Sequence, residues 1–179
     1  MNNSNYTTSY TKDIEEQERK DRFVASKCLE HLFSKGKNLT IVPTEITDYV
    51  DLNCSVVNLK DRLIPFNVEI KERFKNEEQL AKYPNAELKE EKLERMRNAT
   101  KEGVKLLYMV LLNNKTCLVF DLDNLDWSKV EKRNWRIKRT QLNPNSDYIT
   151  VPTYFIPYEL AVATMDCSGF FNEWTTTIA

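Results

Sequence analysis

The segment Leu63-Ile-Pro-Phe-Asn-Val-Glu-Ile-Lys-Glu-Arg-Phe74 carries the strongest strand signal in this chain of 179 residues. Successive side chains of a strand point to opposite faces. One face is apolar, and the other carries Asn67, Glu69, Lys71 and Arg73. Glu69 and Lys71 therefore point the same way, about 7 Å apart at a rise of ~3.4 Å per residue. Taken alone, such a pair is also typical of a solvated ion pair on an exposed sheet face.

The preceding segment, Thr44–Cys54, supplies a second carboxylate. In a strand over this segment, Asp51 lies on the polar face, whereas Asp48 lies on the same face as Val50 and the other apolar residues. If the two strands pair, Asp51 meets Glu69, and two convergent carboxylates repel each other unless a cation neutralises them. Mg²⁺, or Mn²⁺ in its place, suits carboxylate, water and phosphate oxygens. A β-bulge would shift the parity and put Asp48 in the place of Asp51.

Asp51, followed eighteen residues later by Glu69-Ile-Lys71, resembles the D…ExK signature of the PD-(D/E)XK phosphodiesterase superfamily. That superfamily includes many restriction, repair and junction-resolving nucleases. The resemblance covers roughly residues 12–122, and Val68-Glu-Ile-Lys-Glu-Arg73 is its closest stretch. It implies an α/β, restriction-endonuclease-like fold, with an αβββαβ core and a central mixed sheet flanked by helices. This chain lacks the proline that often precedes the aspartate.

The resemblance also implies roles for individual residues. Asp51 and Glu69 would bind the metal together with the backbone carbonyl of Ile70, and Lys71 would be the catalytic lysine. The family often has a carboxylate on the first helix and a basic residue on the helix after the ExK strand. Further candidates for such positions, and for the active face of the strand, are Glu30, Lys89, Lys92 and Arg73.

Patterns of apolar and turn residues predict the remaining elements. We expect a flexible tail at residues 1–11 and one domain over 12–179, whose core ends near residue 122 and is followed by a C-terminal extension. The predicted elements are a helix at Lys12–Ser34, strand signals over 41–58, a helix from Ala86 to about Glu102, a hairpin of Val104–Leu112 with Thr116–Leu122, a strand at Tyr148–Ile156 interrupted by Pro152, and a short helix near Tyr158–Met165.

A basic segment with tryptophans follows the predicted core, from Trp127 to Arg139. Arginine and lysine side chains contact phosphates, and tryptophan can stack on a base. A solvated charged face, with tryptophan as core filler, is the alternative interpretation. The candidates for nucleic-acid contact are Lys132, Arg133, Trp135, Arg136, Lys138 and Arg139.

Composition excludes several classes of protein. The 26 basic and 27 acidic residues argue against a chain that coats nucleic acid with uniform positive charge, although a local patch remains compatible. No GxxxxGK[ST] or GxGxxG loop is present, no apolar run approaches the ~20 residues of a membrane span, and the N-terminus lacks the features of a signal peptide. Four dispersed cysteines indicate buried thiols in a reducing compartment. We therefore expect a cytoplasmic protein of a prokaryote or phage.

These observations together predict a Mg²⁺-dependent phosphodiesterase, an endonuclease that acts on DNA. Because the net charge is near zero, affinity for duplex DNA would come from a local basic patch or from dimerisation. Two alternatives remain open. One is a catalytically inactive nuclease fold that only binds nucleic acid. The other is a structural or protein-interaction protein, in which Asp51, Glu69 and Lys71 form a surface network of ion pairs.

Overall fold

A computed structural model of the chain describes residues 4–34, 37–45, 50–58, 60–138 and 147–177, with backbone alone at 4–12, 37, 138 and 177. In chain order, its elements are α1 (Ser4–Leu32), β1 (Lys37–Pro43), β2 (Leu52–Val57), β3 (Leu63–Arg73), α2 (Glu77–Lys82), β4 (Asn85–Lys89), α3 (Glu90–Ala99), β5 (Lys105–Leu112), β6 (Thr116–Asp121), β7 (Glu131–Lys138), β8 (Tyr148–Pro157), β9 (Ala163–Asp166) and α4 (Ser168–Thr177). Short 3₁₀ turns precede β7 and follow β8. No helix within these ranges is long and apolar enough to cross a membrane.

A mixed six-stranded sheet forms the centre, in the order β1-β2-β3-β5-β6-β9. Only the β3–β5 pair is parallel, and the other neighbours are antiparallel. A smaller antiparallel sheet has the order β4-β8-β7. The predicted α/β class with a central mixed sheet is therefore confirmed.

The central sheet is covered on both faces, which gives two apolar cores. Helices α1 and α4 pack on one face through residues such as Val24, Leu29 and Phe171. The opposite face packs against α3 and the smaller sheet through Leu93, Met96 and partners on β4 and β8. Strand β5 is buried from Leu106 to Leu112, as expected for a strand covered on both faces.

The hairpin of β5 and β6 confirms the prediction from sequence. Asn113, Asn114 and Lys115 connect the two strands, and the two asparagines each have a φ of 54°. The N–H of Lys115 donates to the carbonyl of Leu112 at 3.0 Å, so the asparagines are the two central residues of a tight turn. Positive φ at both central positions matches the right-handed twist of the strands, and asparagine tolerates that conformation.

The predicted helix from Ala86 to Glu102 is wrong over its first turn. Residues Asn85–Lys89 form strand β4 of the smaller sheet, and α3 begins only at Glu90. Ala86 and Leu88 are buried at a spacing of two residues, as in a strand, whereas Leu93 and Met96 follow helical spacing. The apolar residues on both sides of Glu90 belong to the same core. Their pattern in the sequence is therefore continuous and resembles the apolar stripe of a single helix.

Four further elements differ from the sequence-based expectation. Helix α1 begins at Ser4 instead of Lys12, since adding residues to an existing helix costs little. The strand signals of 41–58 divide into β1 and β2. Strand β8 continues through Pro152, because β4 pairs with β8 only from Thr153 onward and the proline therefore removes no hydrogen bond to β4. The segment after Tyr158 forms a 3₁₀ turn and β9 instead of one helix.

Two leucines of the central sheet test the core assignment. Leu111 on β5 is fully buried, whereas Leu63 on β3 is 63% exposed. Truncating Leu111 to alanine should lower the free energy of unfolding by about 2–5 kcal/mol, because a cavity remains. The same change at Leu63 should stay within about 0.5 kcal/mol, as at other surface positions. Urea unfolding of both variants measures the difference, and equal losses would contradict this assignment.

Candidate metal and catalytic site

The candidate site lies where strand β3 continues beyond its neighbour β2. Leu52 is the first residue of β2 and pairs with Val68, whereas β3 continues to Arg73 and stays paired with β5 on its other edge. Beyond Val68, the edge of β3 that faces β2 therefore has no regular strand partner among the residues that the structure describes. Backbone groups on an open edge need other partners when they are buried.

Asp51 supplies such a partner. Its backbone N–H donates to the carbonyl of Val68 at 2.8 Å, and its Oδ2 accepts the backbone N–H of Ile70 at 2.7 Å. The N–H and C=O of one strand residue point to the same edge. The carbonyl of Ile70 is therefore directed to the edge on which the Asp51 carboxylate lies.

The segment that carries Asp51 is held by contacts to β1 and α1. The N–H of Thr44 donates to the carbonyl of Asp51 at 3.1 Å, and the Thr44 hydroxyl donates to the carbonyl of Val50. Arg22 of α1 donates to the carbonyl of Thr44, and its Nη2 lies 3.7 Å from Oδ1 of Asp51. Asp48, the alternative to Asp51, lies outside the described residues.

Glu69 is a buried carboxyl on the face of β3 that faces α3. It is 8% exposed and pairs across the sheet with Tyr108. Lys92 of α3 forms an ion pair with it, with Nζ 2.9 Å from Oε2. Burial raises the pKa of Glu69 to about 8, the charge of Asp51 adds to this rise, and Lys92 opposes it. Lys92 thus compensates the burial of Glu69 only in part, and the carboxyl retains its proton to a higher pH than an exposed glutamate does.

Lys71 has the opposite shift. Burial lowers its pKa first, and the charges of Arg73 and Lys89 lower it further, while Glu69 and Asp51 act against the change. The Lys71 side chain is nevertheless exposed to solvent, which screens this shift. A carboxyl with a raised pKa and a lysine with a lowered pKa are typical of groups used in acid–base chemistry.

Two residues of α1 belong to this region and were missed in the sequence. Burial raises the pKa of Glu18, which also responds to the charges of Arg22, Asp51 and Lys71. Oε2 of Glu18 is buried and accepts no hydrogen bond from the described part of the chain. Glu18 and Arg22 continue the stripe that includes buried Ala25, at a spacing of three to four residues, which is the signal that could have revealed them.

The structure does not bring Glu30 to this site. Glu30 lies twelve residues after Glu18 on α1, about 18 Å along the helix. Its side chain is exposed and lies 3.9 Å from Nζ of Lys27. Among the carboxylates of α1, Glu18 is therefore the one close to Asp51 and Lys71, because the first helix crosses the sheet with its N-terminal half nearer the open edge of β3.

The remaining candidates near the site are placed by α3 and the smaller sheet. Lys92 contacts Glu69 directly, and Lys89, at the end of β4, is close enough to lower the pKa of Lys71. Arg73 lies on the same face as Lys71 but forms an ion pair with Glu87 of β4, at 3.0 Å. Arg73 therefore also links the central sheet to the smaller one.

The basic segment forms edge strand β7 of the smaller sheet. Lys132 forms an ion pair with Glu90, and Arg133 lies 3.5 Å from Glu131. Trp135 is 38% exposed, and Arg136 is exposed. The side chain of Lys138 and all of Arg139 lie outside the described residues.

The donor set near Asp51 fits a hard divalent cation only in part. Two carboxylates and a backbone carbonyl are oxygen ligands of the kind that Mg²⁺ accepts, with water completing its shell. Within the described ranges, no group of three or more His, Cys, Asp or Glu side chains is arranged to hold a metal. Comparisons with protein-family models, curated proteins and solved structures gave no match to the chain.

The raised pKa of Glu69 predicts a pH-dependent stability. An unfolded glutamate loses its proton near pH 4.5, whereas folded Glu69 retains it to about pH 8. Between these values the folded state binds more protons, so this group lowers the free energy of unfolding as pH rises. Glu69→Gln removes that slope, and its stability relative to the wild type should increase from about pH 5 to pH 8 and then level off.

Urea unfolding in EDTA across this pH range measures the effect. Asp21, whose pKa burial raises to about 7, contributes equally to both proteins and cancels in the difference. A stability difference that is constant across the range would contradict the assigned protonation of Glu69.

Proposed function

We propose that this chain is a metal-dependent phosphodiesterase that cleaves DNA. The proposal is carried by the convergence of Asp51 and Glu69 beside Lys71, at the open edge of β3. A buried carboxyl beside a second carboxylate is costly to a fold, and Lys92 offsets that cost only in part because the pKa of Glu69 stays raised. A divalent cation that neutralises both would offset that cost.

The arrangement of elements supports the resemblance to the PD-(D/E)XK nucleases. A first helix precedes three antiparallel strands, and after α3 the chain returns to pair β5 in parallel with β3. The D…ExK residues lie on the open part of β3 and just before β2. The strand β4 and the smaller sheet are additions to the αβββαβ order that the resemblance implies.

Asp51, Glu69 and the carbonyl of Ile70 would hold the metal in this proposal. A bound Mg²⁺ would neutralise charge on the phosphate and lower the pKa of a water molecule. Glu69 must lose its proton before it can bind the ion, so affinity should rise with pH. Glu18 lies close enough to respond to Asp51, and its unpaired oxygen could accept a hydrogen bond from a water near the ion.

Lys71 and Lys92 would take part in the remaining steps of the hydrolysis. Attack by water forms a new P–O bond, breaks the bond to the leaving oxygen and releases a proton from the water. The lowered pKa of Lys71 favours it as the acceptor of that proton, and the leaving oxygen takes up a proton from solvent. The resulting ammonium then stabilises the negative charge that develops on the phosphate. Lys92 would leave Glu69 and turn to a phosphate oxygen.

One observation favours a second candidate function. Both carboxylates already have cationic partners, since Lys92 contacts Glu69 at 2.9 Å and Arg22 lies 3.7 Å from Asp51. In a non-catalytic protein these ion pairs would be permanent. The chain would then be a nucleic-acid-binding module or a structural protein on the same scaffold.

Cleavage of supercoiled plasmid DNA separates these functions. The wild type should nick or linearise the plasmid with Mg²⁺ or Mn²⁺ and lose this activity in EDTA. Lys71→Ala should reduce the rate at least about 100-fold, because it removes a proton acceptor and a charge at the phosphate. Lys60→Ala is the matched control, since Lys60 is an exposed lysine before the opposite end of β3.

Each outcome has a definite meaning. Metal-dependent cutting by Lys71→Ala at the wild-type rate would reject Lys71 as a catalytic residue. DNA binding without cutting would favour the non-catalytic module. Neither binding nor cutting would favour the structural protein.

A further inference from the structure

The smaller sheet ends in a two-stranded ribbon. Strand β4 pairs with β8 only over Thr153–Pro157, whereas β7 pairs with β8 as far as Tyr148. Within the described part of the chain, Asn134–Lys138 and Tyr148–Pro152 are therefore paired only with each other. This ribbon is about 14 Å long, from four steps of ~3.4 Å. Among the described elements, β8 is the only one with which β7 has extensive contact.

Large side chains are exposed on this ribbon. Trp135 is 38% exposed and Tyr148 is 53% exposed. A two-stranded ribbon gains little stability in water by itself, and its open edges can pair with other chains. Each face of the ribbon therefore offers one partly exposed aromatic ring to a partner.

The charge of residues 129–138, which include one strand of the ribbon, indicates what kind of partner the ribbon binds. Residues 129–138 contain five basic residues and one acidic residue, in a chain whose net charge is -1. The rest of the chain is therefore negative overall. Lys129, Lys132 and Arg133 each lie beside a carboxylate, whereas Arg136 has no ion pair among the described residues. A polyanion is the complementary partner, and its affinity would be electrostatic and salt-dependent.

The ribbon carries different groups on its two faces. Arg136 lies on the face of Asn134 and Thr150, with its guanidinium 4.5 Å from the ring centroid of Tyr148. A guanidinium stacked on a ring keeps its N–H donors available for phosphate oxygens. Trp135 lies on the other face, 5.3 Å from the ring of Phe155 and with Arg133 over its own ring at 5.2 Å.

The Trp135 face is continuous with the candidate site. Lys89, Thr153 and Arg133 are paired across the three strands of the smaller sheet, so their side chains share one face. Glu87 lies on this face, two residues before Lys89, and contacts Arg73 beside Lys71. A polymer bound along this face would extend from the ribbon to the open edge of β3.

We propose that the ribbon of Asn134–Lys138 and Tyr148–Pro152 is an arm that grips duplex DNA by entering a groove beside the scissile phosphate. The proposal rests on the proposed function for the identity of the polyanion as DNA. A two-stranded β-ribbon fits the major groove, which is about 12 Å wide and 8.5 Å deep. Arg136 contacts a phosphate at the groove wall, and Trp135 contacts the strand that leads to the site.

Fluorescence polarisation of a labelled 20-base-pair duplex in EDTA tests the arm apart from cleavage. Arg136→Ala should weaken binding roughly 3- to 10-fold and reduce the slope of log K against log salt by about 0.9, as expected for one lost phosphate contact. Arg62→Ala is the matched control, because Arg62 is an exposed arginine at the opposite end of β3, and it should bind like the wild type. The loss should be larger for duplex than for a single strand of the same length.

A second variant guards against misfolding of Arg136→Ala. Trp135→Phe should retain the fold and most of the affinity but lose most of the tryptophan fluorescence change that DNA causes. Unchanged affinity in Arg136→Ala, no duplex binding by the wild type, or equal losses for duplex and single strand would each overturn the proposed arm. If the wild type binds DNA without cutting it and Arg136→Ala loses that binding, the result would support the arm and reject catalysis.

Discussion

The hydrogen bond from the backbone N–H of Ile70 to Oδ2 of Asp51 is the interaction on which the candidate site depends. It closes the edge of β3 where β2 no longer runs alongside, and it uses a side-chain carboxylate where a sheet would ordinarily use a backbone carbonyl. This fixes Asp51 next to the ExK segment and directs the carbonyl of Ile70 to the same place. Glu69 precedes Ile70 on β3, and its side chain points out of the sheet toward α3 because strand side chains alternate between the two faces. Glu69 is therefore held beside Asp51.

The two cores explain why the carboxyl of Glu69 can be buried here. Strand β3 lies between β2 and β5, and each face of the sheet is covered by a different layer. Glu69 and Lys71 extend from β3 toward the side of α3 and the smaller sheet, where Lys92 and Lys89 surround them. Glu18 and Arg22 approach Asp51 from α1. The site thus draws on both layers, and burial raises the pKa of Glu69, whereas Lys71 stays exposed to solvent.

Local patterns predicted part of this arrangement. The parity of β3 correctly separated Glu69 and Lys71 from the apolar face, and the asparagine turn identified the β5–β6 hairpin. The parity of the preceding segment failed at Val50, which lies in the core on the α3 side while Leu52 lies in the opposite core. The chain bends at Val50 and Asp51, so alternation does not continue through them. The position of Glu18 and the pairing of β4 with β8 depend on contacts far apart in sequence, which no local pattern contains.

The central claim is that Asp51 and Glu69 form one site for a divalent cation. Its most direct test is a crystal soaked in Mn²⁺ at about pH 8, where Glu69 begins to lose its proton, followed by an anomalous difference map. We expect a peak within about 2.5 Å of oxygens from both carboxylates, with Lys92 moved away from Glu69. A map without a peak there, in which Lys92 still contacts Glu69, would contradict the claim and leave these residues as a structural network of ion pairs.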